Sequence, residues 1–303
     1  MRILAEHPEV KRLFGAHPAT ATTAACVVAL QFALAALAGG LPWWAILILA
    51  YAVGAFCMHY LHVVIHECSH NLVLGRASLD KACAIFANLP GAVPSAMGFR
   101  HYHLLHHSYL GHRGLDPDVA PKWEAALIGR GPLGKIVWVL LQPFTYSFLH
   151  PLQVRKRIPF DRWTIANILV IAAADALVVT FLGWPALAYL ALSTYFAVGP
   201  HPTGAHILQE HIIFDASYET ASYYGPVNRI SINHGFHLEH HDFPTVPGVR
   251  LSRLRALAPK HYENRFAHRS RLATLWQFVF DRRIGLDSRV IRTNEPAATA
   301  AAA

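Results

Sequence analysis

From Pro18 to Ile65 the chain carries no Asp, Glu, Lys or Arg. Gly39, Gly40 and Pro42 interrupt the run and leave more than 20 apolar residues on either side. About 20 such residues in a helix cross the roughly 30 Å of bilayer hydrocarbon. Residues 18–65 therefore read as two spans joined by a very short loop, a transmembrane hairpin. A second stretch, residues 163–200, holds one charge, Asp175, and breaks at Gly183 and Pro185, which predicts a second hairpin. Composition agrees: 15% of residues are charged and mean hydropathy is +0.30, against about 25% charged in soluble domains.

The rest of the chain is arranged around these hairpins as one membrane domain over residues 1–303. Residues 1–17 are polar, and Ile3, Leu4, Val10, Leu13 and Phe14 give them the stripe of a short amphipathic helix. Residues 66–162 form a polar middle segment. Within it, the apolar patch 83–99 is divided by Pro90, Gly91 and Pro94 and reads as interfacial or re-entrant. Residues 132–152 read as a helix lying in the membrane interface. Residues 201–290 are polar and basic, and the tail 291–303, low in complexity from Pro296 onward, is expected to be disordered. Four spans place the N-terminus, middle segment and C-terminal segment on one side. These hold nearly all the Lys and Arg, which makes that side cytoplasmic.

The net charge of +8 suits an anionic membrane surface. No basic stripe with interleaved aromatics exists, which argues against nucleic acid. Four scattered cysteines read as packing thiols. The polar first twenty residues do not read as a cleavable signal peptide. One ionisable residue inside the spans is too few for a transporter.

Histidine is 21 of 303 residues, and sixteen fall in the windows 59–112 and 201–241, both on the cytoplasmic side. Three clusters stand out: His66-Glu67-Cys68-Ser69-His70, His103-Leu104-Leu105-His106-His107 and His237-Leu238-Glu239-His240-His241. Spacings of three and four put each set on one helix face. A transition metal bound by imidazole needs several neutral ring nitrogens converging from different elements. Eight histidines exceed the four ligands of one zinc ion, so a pair of metal ions is expected. Imidazole suits iron, copper, nickel and zinc alike. A rival reading attaches to the first cluster, because HECSH fits the H-E-x-x-H pattern of zinc hydrolases. That reading leaves both HxxHH clusters without a role.

The three boxes resemble those of the membrane fatty-acyl desaturase and hydroxylase superfamily. Phe86–Pro90 (FANLP), Tyr102–Gly111 (YHLLHHSYLG), Trp138–Pro143 (WVLLQP), Glu219–Asn228 (ETASYYGPVN) and Asn233–Pro244 (NHGFHLEHHDFP) narrow the resemblance to the sphingolipid Δ4-desaturases. With the N-terminal ILAEHPEVKRLF, it runs from about residue 2 to about 285. It implies an all-α fold: four transmembrane helices in two hairpins under a cytosolic helical cap with a di-iron site. It also implies dioxygen as co-substrate, two electrons from a small donor protein (a b-type cytochrome or ferredoxin), and a dihydroceramide-like lipid. The product would carry a trans 4,5 double bond in the sphingoid base, with oxygen leaving as water. Alternatives are C4-hydroxylation of the same lipids, desaturation of another long-chain acyl lipid and, more distantly, the zinc hydrolase.

Matching the boxes gives His66, His70, His103, His106, His107, His237, His240 and His241 as iron ligands. A ninth ligand is usual in the superfamily; His206 is preferred here, with His211 and His201 as alternatives. Glu67, Glu239, Asp242 and Glu210 are expected to accept ring N–H groups of the ligands and so orient them. Asp116 and Asp118 could cap a helix or face the substrate head group. His59, His62, His101, His112 and His234 have no box counterpart and are expected around the ligands or at the surface. The chain lacks the N-terminal glycine acylation site of the family's animal members. Its Ala- and Arg-rich, Lys-poor composition suits a GC-rich bacterial genome. The membrane would then be the bacterial inner membrane, or the endoplasmic reticulum in a eukaryote.

Overall fold

The computed structural model describes residues 2–215 and 219–293. The low-complexity tail from Pro296 lies outside the described residues, whereas Arg292 is fixed by an ion pair with Glu219. The described chain is helical apart from one two-stranded parallel ladder, in which Ser222–Tyr223 pairs with Ala267–His268.

Helix α1 (Arg2–Glu6) is followed by a 3₁₀ turn, Pro8–Leu13, so the expected single N-terminal helix does not form. A proline disfavours helical geometry in the residue before it, here His7. Val10 and Leu13 are buried against Phe236, Phe243, Val246 and Leu251, and the segment packs on the third histidine box.

Helix α2 (Ala19–Ala38) and helix α3 (Trp43–Ser69) carry the first uncharged run. At 27 residues, α3 extends about 40 Å at 1.5 Å per residue. It therefore outruns the hydrocarbon and carries the first histidine box on its C-terminal turns. A π turn at Ala50–Gly54 interrupts it. A Cβ on Gly54 would lie 2.1 Å from Ser193 Oγ, so glycine permits this close approach. Beside it, Tyr189 Oη donates to Gln31 Oε1 at 2.6 Å, and Gln31 Nε2 donates to the Gly54 carbonyl at 3.4 Å.

The apolar patch 83–99 forms parts of helices α4 (Ala77–Ala87) and α5 (Ala96–Tyr109). Between them the Asn88 side chain accepts from Ser95 N and Ala96 N and donates to the Val93 carbonyl. Cys83, Ala84, Ala87, Ala96 and Met97 pack into one core with α3. One side of this patch is thus packed inside the protein, while Phe86 and Val93 stay 40% exposed. A helix face buried between helices is apolar just as one facing lipid is.

Helix α6 (Lys122–Ile128) precedes α7 (Pro132–Phe144), which continues through a π turn, Thr145–Leu149, into His150–Gln153. Helix α8 (Arg162–Leu182) is N-capped by Asp161, which accepts from Trp163 N and Thr164 N. Helix α9 (Trp184–Val198) follows after Gly183. Leu169, Leu177 and Phe181 stand exposed along α8, a surface that only lipid would cover at low cost. Three helices, α2, α3 and α8, are long and apolar enough to cross a membrane. α9 is apolar but has 15 residues, ended by Gly199 and Pro200.

Helix α10 (His206–His211), helix α11 (His237–Asp242), helix α12 (Gly248–Leu257) and helix α13 (Arg271–Phe280) build the C-terminal cap.

Candidate metal centre

Nine histidines gather in two groups. His66, His70, His103, His107 and His240 form the first, and His106, His211, His237 and His241 the second. Within each group the ligand atoms lie within 4.8 Å of one another.

Helical geometry explains the division. Residues four apart lie about 40° apart around a helix, and a residue three along is offset by about 60° the other way. On α5, His103 and His107 share a face and meet the first group, while His106 turns to the second. On α11 the pattern reverses: His237 and His241 share the second group, and His240 turns to the first. The two HxxHH boxes thus interlock.

Contacts between rings test what could occupy each group. His103 Nε2 lies 2.8 Å from His70 Nε2 and 3.1 Å from His107 Nε2, and His107 Nε2 lies 3.1 Å from His240 Nε2. In the second group, His211 Nε2 lies 2.9 Å from both His106 Nε2 and His237 Nε2. A neutral ring nitrogen has either one proton or one lone pair. His103, His107 and His211 each face two partners and cannot satisfy both by hydrogen bonds. Two ligands about 2.1 Å from one ion at right angles are about 3.0 Å apart. A shared cation therefore fits these spacings, and hydrogen bonding does not. His66 Nε2 and His241 Nε2 are buried without any hydrogen-bond partner, as expected for lone pairs awaiting a metal. Burial holds His70, His103, His211, His237, His240 and His241 well below the usual imidazole range. Each is thus kept in its neutral, ligating form.

Of the three candidates for the ninth position, His211 joins the second histidine group, His206 lies in a separate cluster with Glu210 and His234, and His201 is in neither. His206 and His211 are five residues apart on α10, about 140° around the helix, and cannot address one point. His206 instead donates through Nδ1 to the Thr203 carbonyl at 2.8 Å and groups with Glu210 and His234. His201 is bound to Thr203 Oγ1 at 2.7 Å.

The carboxylates divide similarly. Asp116 is the clearest ligand-orienting group: it lies 2.9 Å from His106 Nδ1 and also accepts from Gly111 N and Asp118 N. Burial pulls the His106 ring down, but Asp116 and then Asp118 outweigh it and raise the ring to about 9. Neither helix capping nor head-group contact describes Asp116. Glu210 lies 3.2 Å from His234 Nε2 and 3.7 Å from His237 Nδ1, too far from the latter for a hydrogen bond. Glu67 accepts from Gly248 N at 2.8 Å, and its other oxygen is 3.5 Å from His66 Nδ1.

Two expected orienting groups are elsewhere. Glu239 accepts from Ser222 Oγ and Tyr224 Oη, each at 2.6 Å, and ties α11 to the ladder. It sits one residue from His240, and that step turns it about 100° from the ligand face. Asp242 is exposed and interacts with Tyr262, Arg265 and His261.

Among the remaining histidines, His59 and His234 are buried beside His206, with ring centroids 5.2 and 5.3 Å from it. The His62 ring packs on Phe99. His101 contacts the Lys156 carbonyl, and His112 bridges by its backbone to Arg292. One contributor escaped the sequence reading. Arg100 Nη1 donates to the Cys68 and Ser69 carbonyls at 2.5 and 2.8 Å, capping the end of α3 beside His70.

The family model described as Fatty acid desaturase matches residues 42–272, which contain all nine histidines. The chain belongs to the fatty acid desaturase family. Within it, the chain is 41% identical to Sphingolipid delta(4)-desaturase DES1-like of Oryza sativa subsp. japonica, over 96% of this chain and 88% of the relative. It is 40% identical to Sphingolipid delta(4)-desaturase/C4-monooxygenase DES2 of Homo sapiens, over 96% and 90%. It is 39% identical to Sphingolipid delta(4)-desaturase DES1 of Drosophila melanogaster, again over 96% and 90%.

Proposed function

We propose that this chain is an oxygen-dependent sphingolipid Δ4-desaturase, which forms a trans double bond between carbons 4 and 5 of the sphingoid base of a dihydroceramide-like lipid. The observation that carries the reading is the division of nine histidines into two interlocked groups. The kinship with sphingolipid delta(4)-desaturases over 96% of the chain agrees.

In this reading His66, His70, His103, His107 and His240 hold one iron ion and His106, His211, His237 and His241 the other. When bound, the pair supplies the activation of dioxygen that removes hydrogen from an unreactive carbon. The chain's own part is to present neutral imidazoles and fix their direction. Asp116 orients His106 and favours the tautomer with a lone pair on Nε2. Glu210 lies behind His237 at 3.7 Å and supplies negative charge there without a hydrogen bond. Arg100 pins the end of α3 and with it His70. The membrane arrangement in this reading is four spans in two hairpins with α9 as the short fourth, and a cap on the cytosolic side. A small electron-donor protein, a b-type cytochrome or ferredoxin, supplies two electrons.

A second reaction, hydroxylation at carbon 4, begins at the same carbon. It is favoured by the relatives whose printed names include C4-monooxygenase. Zinc hydrolysis is disfavoured, because Glu67 accepts a backbone N–H in the interior and is not free to act as a base.

The test is expression in a host lacking such an enzyme, with dihydroceramide supplied and lipids read by mass spectrometry. Loss of two hydrogens supports desaturation, and gain of one oxygen supports hydroxylation. Turnover without dioxygen would refute both.

A further inference from the structure

The cap ends in a helix whose outer face is apolar. On α13, Leu272, Trp276 and Phe280 recur every four residues and are 62%, 68% and 47% exposed. The opposite face is buried: Thr274, Phe278 and Val279 pack inward, with Phe278 against Trp138 of α7 at 5.6 Å between ring centroids. Lys135, fully buried on α7, donates to the Phe278 carbonyl at 2.7 Å and the Asp281 carbonyl at 2.8 Å. A buried ammonium on the last carbonyls of a helix is a specific tether, and it fixes α13 alongside α7.

α7 in turn is fixed to the membrane-spanning bundle. Tyr195 of α9 donates to the Leu140 carbonyl at 3.0 Å, and its ring lies 6.0 Å from Phe144. Gly199, at the end of α9, lies so close to Pro143 that a Cβ would come within 2.7 Å of it. α7 therefore sits at the level where α9 ends. Its outer face, with Leu133, Ile136, Leu140, Leu141 and Phe144, is exposed and uncharged.

We infer that α13 is a membrane-embedded helix, and that its Leu272–Trp276–Phe280 face lies in the acyl region of the same leaflet as α7. The occupant is lipid for two reasons. The face is continuous, through α7 and α9, with helices whose exposed surfaces are those of membrane spans. After Asp281, which pairs with Arg283 at 2.7 Å, the chain exposes Arg282, a cation that suits phosphate groups at the leaflet edge. In sequence the segment reads as polar and basic, because a ten-residue helix with a three-residue apolar stripe is far below the length of a span. The inference is independent of the reaction proposed above.

The test uses the full chain in lipid nanodiscs containing about one-fifth anionic lipid, with Cys26 and Cys57 replaced by Ala. A nitroxide is placed singly at position 272, 276 or 280, and at Lys260 as an aqueous control. Collisional relaxation by dioxygen, enriched in lipid, is compared with that by a water-soluble nickel chelate. The three α13 positions are expected to favour dioxygen and position 260 the chelate. Chelate access at all three positions would place the helix in water and overturn the inference. Protection from both reagents would mean a second chain or another protein covers the face, and would overturn it equally. Iron content of each labelled variant checks that the cap is intact.

Discussion

Asp116 and His106 are ten residues apart in sequence and 2.9 Å apart in space, both withdrawn from solvent. The pair fixes one imidazole of the second histidine group from behind. Replacing Asp116 with Asn keeps the volume but removes the charge. Loss of such a carboxylate costs about 10–100-fold in metal affinity or activity. Iron content and lipid turnover are expected to fall together in Asp116→Asn, with membrane insertion unchanged. Unaltered iron retention would show that the contact does not orient a ligand.

His211 and His206 offer a direct comparison on one short helix. His211→Ala is expected to lower bound iron from about two ions toward about one and to abolish turnover. His206→Ala is expected to keep both ions. Metal analysis by mass spectrometry reads the difference, and the reverse result would return the ninth position to His206.

Glu67 separates oxidation from hydrolysis. Glu67→Gln still offers an oxygen to Gly248 N, and its contact with His66 is long, at 3.5 Å. Turnover should drop by no more than about tenfold, the low end for a carboxylate behind a ligand. A general base would show a loss of about 10²–10⁴. A loss of that size, persisting without oxygen in the control enzyme's activity, would favour the hydrolase.

The contact between Tyr189 and Gln31 joins the apolar helices α9 and α2, away from the two histidine groups. Tyr189→Phe leaves Gln31 Oε1 buried without its donor. The expected cost is about 1–3 kcal/mol, seen as a lower thermal midpoint in detergent at unchanged iron content. Loss of iron in this variant would mean that bundle packing and metal binding are coupled.

Metal-free protein should weaken in mild acid. Burial holds His206 at about 3 and His201 and His268 at about 4, and lowers seven further metal-group or adjacent rings. The unfolded chain takes up these protons near pH 6.5 and the folded chain does not. These rings make stability decline as pH falls below about 6.5, whereas His106, raised to about 9 by Asp116 and Asp118, adds stability that is lost as pH rises through that value. Asp118, Glu239 and Asp242, pushed up by burial, act in the same sense as His106, but these groups are fewer. Unfolding midpoints at pH 7.5 and 5.5 decide the matter; a higher midpoint in acid would contradict it.

The histidine boxes were legible because helical spacing is written in residue order: His103, His106 and His107 must crowd one side of a helix wherever it packs. Their division into two groups was not, since it depends on how α5 and α11 face each other across the intervening residues 110–236. His211 was named only as an alternative to His206, because sequence gives closeness to the membrane edge and not the rotation around α10 that turns His211 toward the second group. Asp116 was visible but ambiguous, because the turn that carries it back to His106 is set by Gly111 and the chain beyond it. The patch 83–99 was ambiguous for a plain reason: burial by protein and burial by lipid select the same side chains. Likewise the apolar stripe of α13 falls below what an averaged hydropathy can register.

The interlocking of the two HxxHH boxes has a consequence for assembly. His106 and His107 are adjacent, as are His240 and His241, yet each neighbour serves a different group. The same peptide units would thus be a common mount for any two ions held there. A wrong-sized ion in one position would tilt that mount and weaken binding at the other, so mixed-metal protein is the natural form of damage in this centre.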